Sequence, residues 1–459
     1  MVILTILLFG VISAVDIQEI VIVIISQNNT YNLGLAQNLT QDVYEQSIEL
    51  YQKTPVIHIS NKDFPDKADW TFLPLFSYLV YLHQHNSSWV FFVQDYTSLR
   101  LKLLLEVFEK YDQTQEIWFG NALSDEAATI IHHFAFYDNP NFFKYPNLAS
   151  GFAISIPLLI KLSNEWETDK TLTSNFHIDS GYELARFVWN DARGPMLEQE
   201  TALCSTYEKP ELCASFPSQF HTCDNLVPIN NIYFAVKTCT KFHNDRVPIV
   251  KKTWGNHTPI IKFFSDKEDK SIPTIDLGVP NSENGHCMKT VAIIKYISKE
   301  IEINANIQWI VIADDDTILG VNNLRRLLSC YDYNEKLCLG ERYGFELRDH
   351  LGYNYITGGG GMVFSRYLLT LLANNCICPS LTTPDDMYLG ICMAKLGVDV
   401  THVSGFHQAR PSDYSPDYLA SHEAISFHKH YMTDPVKIYK QRFETSDIAD
   451  EEKKYHIEL

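Results

Sequence analysis

Short apolar runs rich in β-branched residues alternate with longer segments of helical periodicity along this chain. The clearest apolar runs predict buried strands at Ile20–Ile25, Val90–Val93, Ile232–Val236 and Ile310–Ile312. Apolar positions three and four residues apart predict helices at Leu99–Tyr111 and Val321–Tyr331. Because this alternation is typical of parallel strands covered by helices, we predict an α/β fold. Functional loops are then expected at the carboxyl ends of the strands.

The same pattern occurs twice, in the same order. WVFFVQDYTSL, beginning at Trp89, resembles WIVIADDDTIL, beginning at Trp309. YDQTQEIWFG, ending at Gly120, resembles YDYNEKLCLG, ending at Gly340, the same distance further along the chain. TPVIHIS resembles TPIIKFFS, and ASGFAIS resembles GGGMVFS. The shared order argues against chance similarity between apolar strands, so we predict an internal repeat.

The repeat predicts two tandem domains, at 15–200 and 229–440. A linker at 201–228 joins them and contains three cysteines, which we expect to hold it in place: Cys204, Cys213 and Cys223. The pairing of the ten cysteines stays open, and we expect Cys376 and Cys378 to be structural rather than metal ligands.

The two ends of the chain predict its cellular location. Residues 1–14 form an apolar run that ends in small residues, which is typical of a cleaved signal peptide. Within the tail at 441–459, the last four residues, His456–Leu459, are a variant of the K-D-E-L type address read by a retrieval receptor. We therefore expect a protein of the endoplasmic reticulum lumen.

Composition narrows the class of partner. The 459 residues carry a formal net charge of −19, which excludes a nucleic-acid partner because phosphate binding requires a basic surface. Beyond residue 14 no apolar run reaches the length of a membrane span, so we expect a soluble protein without stable membrane insertion. Four N-x-S/T acceptor sites agree with the secretory route: Asn28, Asn38, Asn86 and Asn256.

Three adjacent carboxylates follow the strand at Ile310–Ile312. Repulsion among Asp314, Asp315 and Asp316 is offset when a hard cation such as Mg²⁺ or Mn²⁺ binds their oxygens. The alternative is a solvated acidic turn. The apolar strand before the triplet and the apolar residues after it favour a fixed site.

Two further motifs offer chemistry in the second half. Gly358–Gly361 allows the backbone to approach a ligand closely, or forms a flexible turn. Asp385 and Asp386 open a helix, where they act as caps or where one acts as a general base. His407 offers an imidazole, although a lone histidine is more often a structural residue.

Taken together, the motifs of the second half resemble the fringe-like β-1,3-glycosyltransferases, which have a GT-A fold. The similarity covers about residues 230–440 and rests on FAVKTCTKFH from Phe234, DRVPIVKKTWG from Asp245, WIVIADDDT from Trp309, LGERYG from Leu339, YITGGGGMVFS from Tyr355, TPDDMYLG from Thr383 and GFHQAR from Gly405. The resemblance implies two tandem GT-A-like, Rossmann-like domains, of which the first is a degenerate copy.

The resemblance also assigns roles to single residues. Asp316 would bind Mn²⁺ or Mg²⁺ with His407 as the second protein ligand, while Asp314 and Asp315 would contact the nucleotide sugar. Asp386 would be the catalytic base. Three further side chains would lie near the nucleotide, and two glycines would line the donor and acceptor pocket: Thr238, Arg246, Asp266, Gly359 and Gly360.

Within the family, the two-domain layout and the tail are most similar to the branch that transfers glucose from UDP-glucose to O-linked fucose on folded thrombospondin type 1 repeats. Rival interpretations are the same fold with UDP-galactose or UDP-N-acetylglucosamine, and a lectin or folding sensor of the reticulum without catalysis. The first half is expected to be catalytically silent, since Gln94, Tyr96 and Ser180 stand where the second half has Asp314, Asp316 and Asp386.

Overall fold

A computed structural model describes residues 15–64, 70–168, 175–349 and 352–449 of the chain. The expected signal peptide at 1–14 and the retrieval tail at His456–Leu459 lie outside the described residues. The described part is a mixture of helices and strands arranged around two main sheets, which confirms the predicted α/β class.

The first half forms one main sheet with helices on both faces. Its strands are β1 (Ile20–Ile25), β2 (Val56–Ile59), β3 (Trp89–Gln94), β4 (Thr97–Leu99), β5 (Trp118–Gly120), β6 (Ala122–Leu123), β7 (Tyr145–Pro146), β8 (Phe152–Ser155), β9 (Phe176–His177), β10 (Glu198–Gln199) and β11 (Ser215–Pro217). Its helices are α1 (Thr30–Tyr51), α2 (Ser60–Asp63), α3 (Phe76–His83), α4 (Leu101–Phe108), α5 (Ile156–Thr168) and α6 (Ser180–Trp189). The strand order is β2-β1-β3-β8-β5-β10, and β8 runs antiparallel to its neighbours.

The second half forms the other main sheet. Its strands are β12 (Ile232–Lys237), β13 (Ile261–Ser265), β14 (Thr274–Asp276), β15 (Trp309–Asp314), β16 (Thr317–Leu319), β17 (Cys338–Gly340), β18 (Arg342–Phe345), β19 (Tyr353–Ile356), β20 (Met362–Ser365), β21 (Thr401–His402) and β22 (Ser426–His428). Its helices are α7 (Arg246–Lys252), α8 (Cys287–Ile303), α9 (Val321–Leu328), α10 (Arg366–Asn375), α11 (Asp385–Lys395), α12 (Pro416–Ala420) and α13 (Pro435–Arg442). The strand order is β14-β13-β12-β15-β20-β17-β21.

Apart from the edge strand β14, the two sheets have the same strand order and the same strand directions. Ile20 lies opposite Trp89 in the first sheet, and Ile232 lies opposite Trp309 in the second. In both halves a short strand after the central one pairs with a late antiparallel strand, β4 with β11 and β16 with β22. The repeat in the sequence therefore coincides with a repeat in topology.

The apolar strands are buried because helices cover both faces of each sheet. In β15, Val311 packs in an apolar cluster with residues of α7 and α9, whereas Ile310 and Ile312 pack in a second cluster with residues of α8 and α10. Such a strand has no solvent-facing side, so it appears in the sequence as a continuous apolar run rather than as an alternation. The buried strands hold their carboxyl ends in fixed positions, where the candidate site lies.

The two halves contact each other through strand pairing and side-chain bonds. β9 of the first half pairs antiparallel with β18 of the second, placing His177 opposite Gly344. Trp70 Nε1 donates to Asn354 Oδ1 at 2.8 Å. The predicted linker 201–228 contributes β11, which pairs with β4, so it is part of the first half's fold.

Four disulfides are present among the described residues: Cys204–Cys213, Cys223–Cys330, Cys287–Cys378 and Cys376–Cys392. The first two hold the linker on itself and on the second half, as predicted for its three cysteines. The last two confirm a structural role for Cys376 and Cys378, and they fix the loop that leads into α11. No described helix has both the length and the hydrophobicity needed to cross a bilayer.

Candidate active site

The acidic triplet lies where two buried parallel strands end side by side. Lys237, the last residue of β12, lies opposite Asp314, the last residue of β15. Thr317 fixes the turn between β15 and β16. Its Oγ1 accepts a hydrogen bond from Asp314 N at 3.0 Å and donates to Gly359 O at 2.8 Å. The carboxylates therefore occupy a fixed turn and not a freely solvated one.

Asp314, Asp316 and His428 form a group able to hold a metal ion, with potential ligand atoms all within 4.8 Å of one another. His428 is the last residue of β22, and its pairing opposite Thr317 brings it beside Asp316. Its Nδ1 lies 2.9 Å from Gln408 O, which assigns the Nδ1 proton to that bond and directs Nε2 to Asp316 Oδ1 at 3.2 Å. Two carboxylates and one imidazole suit Mn²⁺ or Mg²⁺ bound together with substrate phosphates.

Asp316 is held in its ionised form. Burial opposes ionisation, but the hydrogen bond and charge of His428, together with Arg246, lower the pKa of Asp316 to about 2. Burial opposes protonation of His428, but the hydrogen bond and charge of Asp316 raise the pKa of His428 above its usual value. A divalent cation would take the place of this imidazolium proton as the counter-charge.

His407 does not belong to the group, and the expectation that it is the second metal ligand is corrected in favour of His428. Its side chain is fully buried, with Nδ1 2.8 Å from Ser426 O and Nε2 3.0 Å from His422 Nε2. Its ring stacks on Phe427, with centroids 4.5 Å apart. Both nitrogens thus have partners inside the protein, and His407 supports the strand that carries His428.

Asp315 binds protein groups. It accepts hydrogen bonds from Thr238 Oγ1 at 2.7 Å and from Arg246 at 2.9 Å, and the same Arg246 nitrogen lies 2.9 Å from Asp316. Burial raises the pKa of Asp315 to about 6. The guanidinium of Arg246 lies over the ring of Phe242 at 3.8 Å from its centroid, which fixes its direction. The structure thus brings three predicted nucleotide-binding residues together.

Asp266 lies on the neighbouring strand end. Its Oδ1 accepts hydrogen bonds from Thr240 N at 2.8 Å and from Thr240 Oγ1 at 3.1 Å. Burial opposes ionisation, but these bonds lower the pKa of Asp266 below its usual value. The carboxylate holds the loop after β12 in place, beside the Thr238 and Asp315 pair.

Lys237 has a central position that the sequence reasoning missed. Its buried Nζ lies 3.0 Å from Asp314 Oδ1 and 2.5 Å from Asp385 Oδ2. Burial opposes ionisation of Asp385, but the charge of Lys237 lowers its pKa. The sequence feature that could have indicated this role is a lysine at the end of an otherwise apolar strand, because a buried positive charge needs an acidic partner. Lys237 links the turn that carries the acidic triplet to the start of α11.

Asp386, the neighbour of Asp385, has the properties of a base. Burial, and then the charge of Asp385, raise its pKa to about 6. Gly358 N donates to its Oδ2 at 3.4 Å. A carboxylate whose pKa lies this close to neutral pH is ionised there and still accepts a proton readily.

The glycine run crosses the site between β19 and β20. A Cβ on Gly359 would lie 2.3 Å from the ring of His428, so a side chain there would displace this imidazole. Gly360 N donates to Gln408 Oε1 at 2.9 Å. The run therefore allows the backbone to pass beside the candidate metal-binding group, which is a stricter requirement than flexibility.

The chain is similar to known proteins along most of its length. The model of the family described as Fringe-like matches residues 227–457. The chain belongs to the Fringe-like family. It is similar to the β-1,3-glucosyltransferase of Mus musculus, with 44% identity over 427 residues, covering 93% of this chain and 86% of that protein. The human β-1,3-glucosyltransferase matches equally, at 44% identity over 93% of this chain and 85% of the relative.

Other relatives match a shorter part of the chain. A Xenopus laevis glycoprotein-N-acetylgalactosamine 3-β-galactosyltransferase is 30% identical over 152 residues, which is 32% of this chain and 41% of that protein. The similarity to the β-1,3-glucosyltransferases is longer than either half, so it includes residues of both.

Proposed function

We propose that this protein is an inverting β-1,3-glucosyltransferase that moves glucose from UDP-glucose onto O-linked fucose of thrombospondin type 1 repeats. One observation carries the proposal: a buried lysine at the strand ends, Lys237, joins a group able to hold a metal ion to Asp385, the neighbour of Asp386. The similarity to named β-1,3-glucosyltransferases along nearly the whole chain supports glucose over galactose or N-acetylglucosamine as the transferred sugar.

Different residues would balance the charge of the departing nucleotide and accept the proton of the acceptor hydroxyl. Asp314, Asp316 and His428 would hold Mn²⁺ or Mg²⁺, which supplies positive charge against the departing diphosphate. Arg246 holds the neighbouring carboxylate oxygens in fixed directions. The charges needed when UDP leaves are thus set before substrate binds.

Asp386 acts on the acceptor. In its ionised form it accepts the proton of the attacking hydroxyl as that oxygen bonds to the anomeric carbon of glucose. The C–O bond to UDP breaks on the opposite face, so an α-linked donor gives a β-linked product. Burial, and then the charge of Asp385, raise the pKa of Asp386, whereas the nearby charge of Lys237 offsets part of this rise.

We further propose that the protein works in the endoplasmic reticulum lumen and is returned there by a retrieval receptor. The four terminal residues His456–Leu459 and the sequence at 1–14 support this location. Deleting His456–Leu459 should send the protein into the culture medium, and retention of the truncated form would contradict the proposal.

The experiment that tests the transfer is a donor screen. The full chain with Mn²⁺ is given UDP-glucose, UDP-galactose or UDP-N-acetylglucosamine, with a folded repeat that does or does not carry O-fucose. We expect a gain of one hexose mass only from UDP-glucose and only on the fucosylated repeat. Transfer from UDP-galactose or UDP-N-acetylglucosamine would keep the proposed mechanism but change the sugar that the enzyme transfers. Absence of transfer from all three donors would favour a lectin.

A further inference from the structure

A cavity of about 1140 Å³ lies between the two halves, at the carboxyl ends of β1 and β3. This is the edge of the first sheet that corresponds to the catalytic edge of the second. Its floor contains Ser26, Asn32 and Asp95, and the second half contributes residues such as His402 and His422 to the opposite wall. The catalytic aspartates of the second half are not among the residues that line it.

The floor keeps the polar framework of the catalytic site. Ser26 Oγ donates to Asp95 Oδ2 at 3.0 Å, as Thr238 Oγ1 donates to Asp315 Oδ2 at 2.7 Å. Asn32 Nδ2 donates to the same oxygen of Asp95 at 2.9 Å. A buried carboxylate with two neutral donors thus faces this cavity, where the second half adds an arginine.

The residues that would bind a metal are replaced. Gln94 lies opposite the end of β1, as Asp314 lies opposite the end of β12. Pro217 pairs with Thr97, as His428 pairs with Thr317. Tyr96 follows Asp95, in the place of Asp316. An amide, a ring without a donor and a phenol do not form a site for a divalent cation.

The charges of the cavity wall also disfavour a phosphate. Among the described residues that line it, carboxylates are as prominent as cationic groups, and Arg326 is bound to both oxygens of Glu423 at 2.6 and 2.7 Å. Burial lowers the pKa of His402 to about 3 and that of His422 to about 4, so both histidines are neutral. A nucleotide diphosphate would find no excess positive charge here.

The other side chains that line the cavity include aromatic rings, amides and carboxylates. Tyr31 and Tyr331 meet edge to face with ring centroids 5.0 Å apart, and both line the cavity. Phe220 and Trp70 provide further ring surface on the wall. Apolar faces with a few placed polar groups bind ligands that are ring-shaped and rich in hydroxyls. The volume exceeds the ~300–1,000 Å³ usual for small-molecule sites.

We propose that this cavity is a second, metal-independent binding site, which takes a neutral oligosaccharide. Asp95 and Asn32 bind sugar hydroxyls at its floor, and Tyr31 supplies an apolar face. The glycan comes either from another molecule or from this chain, because the acceptor-type residues Asn28 and Asn38 are exposed and line the cavity. This inference is independent of the donor and acceptor proposed above.

The test is binding of the full chain, in EDTA, to an array of neutral and of sialylated or phosphorylated oligosaccharides, followed by calorimetry on the best neutral compound. Protein is used before and after enzymatic removal of its N-glycans. We expect saturable binding of a neutral glycan. Binding by both preparations indicates an external ligand, and binding only after removal indicates that the chain's own glycan fills the site. Absence of neutral binding in both preparations, or a preference for phosphorylated glycans, would overturn the proposal.

Variants locate the site. Gln94→Trp at the strand end and Asp42→Trp on the exposed side of α1 both place bulk in the cavity and should weaken glycan binding at least tenfold. Glu49→Trp, on the same helix but away from the cavity, is the matched control and should bind as the parent does. Asp316→Ala should lower transfer about a thousandfold and leave glycan binding within twofold. Loss of glycan binding in Asp316→Ala with retention in Asp42→Trp would place the ligand in the catalytic site and refute the inference. Binding of the unglycosylated repeat alone, lost in Asp42→Trp, would make it a peptide site instead.

Discussion

The two halves of this protein share a scaffold and differ in the side chains that carry charge. Thr97 Oγ1 donates to Ala149 O at 3.0 Å, as Thr317 Oγ1 donates to Gly359 O at 2.8 Å. Ser215 in the first half likewise donates to Ser150 O. Its counterpart Ser426 donates to Gly360 O at 2.5 Å. The bonds that shape the turns are therefore present in both halves.

At the matching strand ends, the described residues of the first half differ from those that we propose to act on substrates in the second half. Gln94, Tyr96 and Pro217 stand where the second half has Asp314, Asp316 and His428, respectively. The comparison teaches that the strand order supplies positions, while a few side chains at strand ends supply the activity. We interpret the first half as a degenerate, catalytically silent copy.

The largest expected effect comes from a substitution in the acidic turn of the second half, compared with a substitution in the matching turn of the first half. Asp316→Ala should lower transfer about a thousandfold, equivalent to roughly 4 kcal/mol of transition-state stabilisation. The substitution removes a ligand of the cation that would balance the charge of the departing diphosphate. Gln94→Ala, the change at the matching turn of the first half, should leave the kcat of transfer within twofold. Steady-state kinetics of both variants with saturating Mn²⁺ measure this difference. Equal losses in both would mean that the first half takes part in the chemistry.

Asp386→Asn should lower kcat by about 10²- to 10⁴-fold, the usual contribution of a general base. The amide has nearly the same shape, so UDP-glucose should bind with unchanged affinity in calorimetry. Ser180→Ala, at the position that the sequence repeat predicts to correspond to Asp386, is the control and should not alter kcat. If Asp386→Asn lost donor affinity in proportion to kcat, the residue would be a donor ligand or a helix cap.

The correction of the histidine ligand gives a sharp pair of variants. His428→Ala should raise the Mn²⁺ concentration needed for half-maximal activity by about 10- to 100-fold, since even residues that only orient metal ligands have effects of this size. His407→Ala should leave that concentration unchanged but lower the melting temperature, because its buried partners lose about 1–3 kcal/mol of hydrogen bonding. Activity titrations and thermal melts distinguish the two. The opposite assignment of effects would restore His407 as the ligand.

The pH dependence of kcat/KM should show the ionisation of Asp386. Because burial and Asp385 raise the pKa of Asp386 to about 6, the base is present above that pH and is lost below it. We expect activity to fall with a midpoint near pH 6 and to approach a tenfold loss per pH unit. The pKa of Asp316 is about 2, so this carboxylate stays ionised over the same range. A midpoint at pH 4 or below would assign proton transfer to a group with an unshifted pKa.

The sequence was sufficient for the features that depend on neighbouring residues. Ile20–Ile25 is a strand with the predicted bounds, and the acidic triplet lies at a strand end as expected. Predicted helix ends were too wide: Leu101–Phe108 lies inside the predicted Leu99–Tyr111. The apolar pattern continues past a helix terminus whenever the next residues are also buried, so it does not fix the cap.

Features that depend on contacts between residues far apart in the chain could not be predicted from the sequence. His428 reaches the site because β22 pairs with β16, and no local pattern distinguishes its motif from that of His407. Lys237 acquires its role only when α11 brings Asp385 beside it. The pairing of β9 with β18 joins the halves in the same non-local way.

The number of Mn²⁺ ions bound by the full chain tests most directly whether the groups that balance charge during transfer belong to one half. The measurement is a Mn²⁺ titration in the presence of UDP, followed by electron paramagnetic resonance of free and bound ion. The account predicts one specific Mn²⁺ site per chain, which disappears in Asp316→Ala and persists in Gln94→Ala. Two sites per chain, or one site that survives Asp316→Ala, would contradict it.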